Sequence, residues 1–502
     1  MTVRDFPSTR SAWMILAAIF VAYVLIRVPV AYCQPGGQDE DCYGFPGLTI
    51  VEDGVPRLPH VPQRDPSRFF HYADDALFAE PPLYFYWQSL FFAALPDVYG
   101  TARLSSIAAG AIAIGLVYVL ARRWYRDEAA ALWAAGIYSL LRMFYFPAFT
   151  ARPDILCAAI GLAALYTFDR WTTDRKRSWF LATGVLIGLG GLAHPFAIVY
   201  AVQIAVWAAV TARGWARLLQ PALLAATAIM VCLIWLPLIL SYPEAFEAQF
   251  GNNILKQGAG DGFFARQLMP WTSLAHHAAL MWEHAGPIQF TLLALGTAAA
   301  LAIDGRDRNG NGRKVLALAI SSAYLLSTIT GPHPTKGYWC YPAALLCLCL
   351  GRSISYVWSR LAERSPWWRR AGLPAGIVLI ALLVPGLGIR AWWAYVGNFG
   401  DVNYNAPRFA RQLMDDLPED ARYTVDVEYA LDFYAADRTL LMGQTNPIYF
   451  SAEKHPYDYL IVSRHGLRTD LAGQLNGTLL RTYGVRDDPF ACYVEVYIPA
   501  ER

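Results

Sequence analysis

The sequence has few charged residues for its length. Of its 502 residues, 16% are charged, whereas 56% are hydrophobic and 14% are aromatic. A typical soluble domain carries about 25% charged residues, so this chain has too few to cover a soluble surface. The composition therefore predicts an integral membrane protein.

The sequence also lacks a basic tail and an arginine-rich patch. Its formal net charge is +2, whereas nucleic-acid-binding proteins neutralise phosphates with clustered Lys and Arg. Nucleic acid is therefore not an expected partner. No internal repeat or low-complexity segment is present in the sequence, which weakens the case for a transporter built from inverted repeats.

Cysteine is scarce, and most of it lies in apolar sequence. Five of the eight cysteines fall inside apolar runs, where they are expected to be small buried hydrophobes. Cys33 and Cys42 lie outside these runs and bracket the three acids Asp39, Glu40 and Asp41. If this loop faces an oxidising compartment, a disulfide between Cys33 and Cys42 would fix the acids in place.

Long apolar runs are abundant. The first, 13–32, can span a bilayer, because about 20 helical residues cover its roughly 30 Å hydrocarbon core. Further runs follow at 104–120, 129–149, 154–168, 179–194, 195–212, 218–241, 287–303, 315–330, 338–358 and 373–393. The sequence thus predicts an all-α polytopic membrane protein with about eleven transmembrane helices.

Basic residues alternate between the short loops. With a cytoplasmic N-terminus, five loops on the cytoplasmic side are rich in Lys and Arg, as the positive-inside rule requires. They are the loops around 122–126, 170–177, 213–217, 306–314 and 360–370. This pattern predicts a multi-pass protein of the cytoplasmic membrane, with segment 33–101 and the C-terminal tail on the outer side.

The chain divides into two predicted domains. Residues 1–394 form the transmembrane domain, and its first outer loop, 33–101, contains Pro81-Pro82 followed by an aromatic run that predicts an interfacial helix. Residues 395–502 are more polar. A helix at 407–417 and strands at 422–427, 458–463 and 492–498 predict a small extracytoplasmic α/β domain there.

Ionisable residues near the outer ends of the spans are functional candidates, because charge at membrane depth is costly. Arg27 either extends toward the headgroups or orients Asp39 or Glu40. Asp154 follows Arg152 at the start of a span, where it either caps the helix or takes part in chemistry. All nine histidines fall on the predicted outer side. A surface role is favoured for His276, His277 and His284, and a divalent cation remains an alternative.

Several motifs, taken in order, resemble the polytopic glycosyltransferases of the GT-C fold, specifically those similar to family 39. That family includes protein O-mannosyltransferases and bacterial lipid A aminoarabinose transferases. The motifs lie in roughly the first 345 residues: Arg27-Val28-Pro29, Asp39-Glu40 with Tyr43, Pro81-Pro82-Leu83-Tyr84, Ala102-Arg103-Leu104-Ser105, Ala151-Arg152-Pro153-Asp154, and Lys336 with Tyr341-Pro342. Each is short, and their order carries the resemblance.

The resemblance implies an inverting enzyme without an assigned cofactor. It would transfer a sugar from a polyprenyl phosphate, within membrane lipid, to a lipid, glycan or protein acceptor at the outer face. By position Asp39 matches the base, with Glu40 and Asp154 as further catalytic acids. Arg103, Arg152 and Lys336 are assigned to the donor phosphate, and Arg27, Tyr43, Tyr84 and His194 to orienting the acid or binding the sugar.

Two positions depart from the family pattern. Relatives often carry Lys before the Pro-Pro pair and after the fifth span, whereas this chain has Glu80 and His194. Two other functions therefore stay open: a transporter or flippase of lipid-linked sugars, and an inactive relative that only binds. The charged candidates cluster at the outer end of the spans, which favours the enzyme.

Overall fold

The computed structural model describes the chain except for residues 1–8, 38, 63, 65–69, 256–262, 306–309, 332–335, 384–387, 442–455 and 501–502. The described part is mostly helical. Its first helices are α1 (Thr9–Cys33), α2 (Glu40–Tyr43), α3 (Pro46–Asp53), α4 (Leu83–Phe92), α5 (Tyr99–Tyr125), α6 (Glu128–Leu140), α7 (Arg142–Tyr145), α8 (Asp154–Asp174), α9 (Arg177–Ala193), α10 (Ile198–Thr211), α11 (Ala216–Cys232), α12 (Leu236–Ser241) and α13 (Pro243–Phe246).

The remaining helices follow a π-helical stretch, Glu247–Leu255. They are α14 (Phe263–Leu268), α15 (Trp271–Ala285), α16 (Pro287–Asp304), α17 (Asn311–Thr330), α18 (Cys340–Arg364), α19 (Pro366–Leu383), α20 (Ile389–Gly397), α21 (Ala406–Asp415), α22 (Ala430–Ala435), α23 (Arg464–Arg468) and α24 (Leu471–Gln474). Short 3-10 turns occupy Pro195–Ala197, Leu233–Trp235 and Val402–Tyr404.

Five helices of the described chain are long and apolar enough to cross a membrane. They are Arg10–Cys33, Tyr99–Tyr125, Ala216–Ser241, Pro287–Asp304 and Cys340–Arg364. The protein is therefore a multi-pass membrane protein, but the predicted count of about eleven spans is not confirmed. The run predicted as one span at 129–149 is interrupted, because the backbone is extended at Leu141 (φ −74°, ψ 139°) and separates α6 from α7.

Small residues set the closest contacts between the long helices. A Cβ atom on Gly351 of α18 would lie 2.5 Å from the carbonyl oxygen of Ala130 on α6. A Cβ atom on Gly188 of α9 would lie 2.6 Å from the carbonyl oxygen of Ala228 on α11. Close backbone approach at small residues is typical of helix pairs in membranes, where packing replaces the hydrophobic effect.

The C-terminal tail forms a five-stranded sheet with the order β2-β1-β3-β5-β4. Its strands are β1 (Tyr423–Val425), β2 (Leu440–Leu441), β3 (Tyr459–Ser463), β4 (Gly477–Gly484) and β5 (Tyr493–Pro499). β1 pairs in parallel with β2 and β3, whereas β5 runs antiparallel to β3 and β4. The three predicted strands are confirmed. β2 and β4 were not predicted. β2 has only two residues, and β4 is an edge strand whose residues are mostly exposed, so it lacks the alternation of a half-buried strand.

The tail packs against the first outer loop through backbone contacts. The Gly36 amide donates to the carbonyl oxygen of Glu428 at 2.9 Å, and the Tyr99 hydroxyl donates to the carbonyl oxygen of Val427 at 2.7 Å. A Cβ atom on Gly36 would lie 2.7 Å from both the Tyr99 ring and the Val427 oxygen. The sheet domain is thereby held beside the loop that carries the three acids.

The predicted disulfide between Cys33 and Cys42 is wrong, because both residues are free thiols. Cys33 ends α1, and its sulfur lies 3.9 Å from the side-chain nitrogen of Asn405 in the tail, whereas Cys42 lies on α2. Asp41, the third of the consecutive acids, is buried. It is 4% exposed, and burial raises the pKa of its carboxyl group well above the usual range.

Two acids of the tail, the partly buried Glu428 and the buried Asp432, predict a pH-dependent stability. Burial raises the pKa of Glu428 to about 8 from 4.5, and that of Asp432 to about 7 from 3.8. The folded state therefore binds more protons than the unfolded state between these values. The contribution of such a carboxyl group to stability is complete below its ordinary pKa and is lost as the pH rises through the folded pKa.

We expect the thermal stability of the protein to fall between about pH 5 and pH 8, and Glu428→Gln to reduce the slope of that fall. Thermal unfolding measured across this pH range checks the expectation. Glu419→Gln is the matched control, because the Glu419 side chain is 89% exposed. Equal slopes in wild type and both variants would contradict the assignment to Glu428.

Candidate active site

Asp39 is the most accessible of the three consecutive acids Asp39, Glu40 and Asp41. It precedes α2, and its carbonyl oxygen accepts the amides of Cys42 and Tyr43 at 3.3 and 3.1 Å. Its side chain makes no capping hydrogen bond to α2 and is 36% exposed. The backbone turn therefore presents the Asp39 carboxylate outward, where it contacts the guanidinium of Arg152.

Arg152 joins two acids. While one of its terminal nitrogens contacts Asp39, its Nε donates to Asp154 Oδ2 at 2.7 Å. Asp154 is the first residue of α8 and is fully buried, so the helix dipole and Arg152 both stabilise its charge. Gly337 lies directly against this carboxylate, since a Cβ there would be 3.1 Å from Asp154 Oδ1.

Lys336 lies at the same end of the bundle as Arg152. The Lys336 Nζ is 4.6 Å from the centroid of the Phe146 ring, and the Arg152 guanidinium carbon is 5.3 Å from it. Both distances fall within the range of cation–π attraction. Two of the three cations assigned to the phosphate therefore converge on one aromatic ring. Phe146 was not singled out from the sequence, because it lies within an ordinary aromatic and apolar run.

The two positions that depart from the family pattern contact each other. His194 Nε2 lies 3.6 Å from Glu80 Oε1, and the Tyr43 hydroxyl donates to the same oxygen at 3.3 Å. The Phe196 amide donates to His194 Nδ1 at 3.1 Å, which assigns the proton of a neutral imidazole to Nε2, facing Glu80. The Tyr338 ring packs 4.6 Å from the His194 ring. No pattern in the sequence indicates this pairing, because the two residues are far apart along the chain.

Glu40 and Arg103 form a buried ion pair. Arg103 donates from Nε to Glu40 Oε1 at 2.8 Å and from Nη2 to Oε2 at 2.5 Å. Its other N–H groups donate to the carbonyl oxygens of Ala31, Gln34 and Pro35. Both side chains are at most 2% exposed. This geometry gives Arg103 a structural role instead of the predicted phosphate contact, and it does not fit Glu40 as a catalytic acid.

Arg27 does not orient the acids. It is 1% exposed, lies 4.2 Å from the Tyr23 ring centroid and 5.1 Å from that of Tyr145, and donates to the carbonyl oxygen of Ser139 at 3.2 Å. It therefore neither pairs with a described acid nor extends to the headgroups. Stacking on aromatic rings instead offsets part of the cost of burying its charge.

Tyr84 is buried between α4 and α5. It is fully buried, and its hydroxyl bonds the hydroxyls of Ser106 at 2.9 Å and Ser105 at 3.0 Å. These contacts join α4 to α5, so Tyr84 does not reach a sugar.

Within the described ranges no group of three His, Cys, Asp or Glu side chains is arranged to hold a metal ion.

Two solved structures share the fold of this chain. ArnT from Cupriavidus metallidurans bound to undecaprenyl phosphate superposes with a TM-score of 0.63 at 17% identity, covering 97% of this chain and 98% of that one. The oligosaccharyltransferase AglB from Archaeoglobus fulgidus, in complex with an inhibitory peptide and a dolichol-phosphate, superposes with a TM-score of 0.53 at 16% identity, covering 90% and 69%. The chain therefore has the GT-C fold of membrane glycosyltransferases.

A family model described as dolichyl-phosphate-mannose-protein mannosyltransferase matches residues 79–239. That segment includes Arg103, Arg152 and Asp154, whereas Asp39 lies before it. The resemblance to mannosyltransferase and aminoarabinose transferase proteins found in the sequence is thereby confirmed. No curated protein matches the chain.

The different surroundings of two adjacent acids lead to a prediction. We expect Glu40→Gln to destabilise the protein by about 3–5 kcal/mol, because it leaves Arg103 buried with no opposing charge. Asp39→Asn changes a partly exposed side chain and should leave the melting temperature within a few degrees of wild type. Thermal unfolding of the purified proteins compares the two. Equal stability of both variants would show that the Glu40 contact is not structural.

Proposed function

We propose that this protein is an inverting glycosyltransferase that moves a sugar from a polyprenyl-phosphate donor to an acceptor at the outer face of the cytoplasmic membrane. One observation carries the proposal: the partly exposed carboxylate of Asp39 contacts Arg152, and Lys336 lies against the same aromatic ring as Arg152, at one end of a helical bundle with the GT-C fold. The lipid phosphates bound by the two solved relatives support a donor of this chemical class.

The proposed chemistry is a single displacement. Asp39 accepts the proton of the acceptor hydroxyl, the acceptor oxygen bonds to the anomeric carbon, and the bond from that carbon to the phosphate oxygen breaks. Polyprenyl phosphate leaves with the bonding electron pair. Attack from the side opposite the phosphate inverts the anomeric configuration.

Arg152 and Lys336 stabilise the leaving phosphate in this proposal. The Lys336 side chain is exposed and makes no ion pair with a described residue, so its charge is available to an anionic ligand. Arg152 already contacts Asp39 and Asp154. A donor phosphate that attracts Arg152 would weaken its contact with Asp39 and make that carboxylate a stronger base, which couples donor binding to proton abstraction.

The proposed orientation of the protein in the membrane is inferred from the charges of its loops. The basic loops predict that the ends of α5 and α8 farthest from Asp39 face the cytoplasm, which places the proposed site and the α/β tail outside. The acceptor, a lipid, glycan or protein, would then approach between the first outer loop and the tail.

Asp39→Asn should lower the transfer rate by at least about 100-fold, the lower end of the contribution of a positioned general base. Purified protein is incubated with a panel of polyprenyl-phosphate sugars and candidate acceptors, and the release of free polyprenyl phosphate is measured. Asp74→Asn, which removes an acid of the same loop paired with Arg64, is the matched control. Full activity of Asp39→Asn would overturn the assignment of the base. Sugar–lipid movement across vesicles without phosphate release would instead identify a flippase.

Lys336→Gln should raise the KM for the donor about tenfold or more, because it removes a charge from the proposed phosphate site. Its effect on kcat tests whether that charge also assists departure of the leaving group. Steady-state kinetics with varied donor concentration separates the two parameters. An unchanged KM and an unchanged kcat together would exclude Lys336 from donor binding.

A further inference from the structure

A polar cavity lies at the opposite end of the bundle from Asp39. It has a volume of about 450 Å³ and is lined by residues from α5, α8 and α17. Along α5, Arg122 is 19 residues beyond Arg103, which is about 28 Å of helix. Along α8, Asp169 is 15 residues beyond Asp154, or about 22 Å. This cavity is therefore separate from the candidate active site.

Positive charge dominates the lining of this cavity. Arg122, Arg123, Arg126 and Lys314 line it together with one carboxylate, Asp169. Asp169 Oδ1 accepts from Lys314 Nζ at 2.6 Å, and its Oδ2 contacts Arg123 Nε. Both oxygens of the acid are thus occupied, and they hold two of the cations at the wall of the cavity.

The other two cations are more accessible. Arg126 is exposed and makes no ion pair with a described residue. The Arg122 side chain is 46% exposed and contacts Glu128 at 3.0 Å. Arg126 ends α5 with φ +52°, so the chain turns there and places its side chain after the last helical turn. A multiply charged anion would offset the positive charge that Asp169 leaves unbalanced.

The surroundings of the cavity favour an anion carried by a lipid. Val119, which is 38% exposed on the apolar surface of α5, lines the cavity together with the partly buried Tyr166 and the buried Trp124. Trp and Tyr concentrate at the level of the lipid headgroups, where an aromatic ring meets both apolar chains and water. The cavity therefore adjoins both the apolar surface and the headgroup layer. Basic pockets between helices at this level bind the headgroups of anionic phospholipids.

We propose that this cavity binds the phosphate headgroup of an anionic phospholipid from the leaflet facing away from the active site. Arg122 and Arg126 contact the phosphate, while Arg123 and Lys314, held by Asp169, add to the positive field. The bound lipid would bridge α5, α8 and α17, and the far ends of α5 and α8 carry Arg103 and Asp154 of the candidate site. This inference does not depend on the proposed transfer reaction.

Native mass spectrometry of the purified full-length protein tests the proposal. The ligands are phosphatidylglycerol, which is anionic, phosphatidylcholine, which is zwitterionic, and inorganic phosphate as a soluble competitor. The variant Arg122→Gln/Arg126→Gln removes the accessible cations. The matched control Arg360→Gln/Arg364→Gln removes two exposed cations of α18 that do not line the cavity. Arg126→Gln alone is the second variant, since it breaks no ion pair with a described residue.

We expect wild type to retain phosphatidylglycerol in preference to phosphatidylcholine. The cavity variant should bind phosphatidylglycerol about thirty-fold more weakly, because each basic side chain contributes about 1 kcal/mol at an anionic surface. Arg126→Gln should lose about fivefold, and the control should lose none. Equal losses of phosphatidylglycerol affinity in the cavity variant and the control would show that the lipid is attracted by the overall positive charge of this side of the protein and not by the cavity. That result would overturn the proposal. Displacement of the lipid by an equal concentration of inorganic phosphate would identify a soluble-anion site instead.

Discussion

The buried ion pair between Arg103 and Glu40 positions the rest of the candidate site. Taking both charges out of water is costly. The cost is offset because Arg103 also donates to three carbonyl oxygens in the last turn of α1 and just after it, and because Glu40 accepts the amides of Gly37 and Ala151. One pair thereby joins the end of α1, the acidic loop, the start of α5 and the residue before Arg152. The contact between Asp39 and Arg152 depends on this arrangement.

Two adjacent acids have different roles because their backbone positions differ. Asp39 precedes the first residue of α2 and points toward solvent and Arg152, whereas Glu40 opens the helix and points into the bundle. A buried carboxylate with both oxygens hydrogen-bonded, such as that of Glu40, holds the surrounding elements together. A partly exposed carboxylate, such as that of Asp39, can give up its contact with Arg152 and bind a substrate instead. The neighbouring Glu80 and His194 make a further pair at the site, where the related family often carries two lysines.

Much of the fold follows from local sequence. A long apolar segment in a bilayer must satisfy its own backbone hydrogen bonds, so it forms a helix wherever it lies. The apolar runs therefore predict helices well, and alternation with turn residues predicts β1, β3 and β5. The break at Leu141 and the exposed edge strand β4 were missed, because both depend on neighbouring elements and not on the local pattern.

The sequence by itself determined the membrane class, the family resemblance, and the residues of the candidate site that remain accessible: Asp39, Arg152 and Lys336. Only the tertiary structure decided which charges meet. Arg103 and Glu40 are 63 positions apart. His194, which follows the end of α9, contacts Glu80 of the first outer loop. Arg27 lies among aromatic rings. Cys33 and Cys42 stay free despite being close in sequence. An ion pair or a disulfide forms only where the packed backbone brings its two ends within bonding distance, and spacing along the chain does not specify that distance.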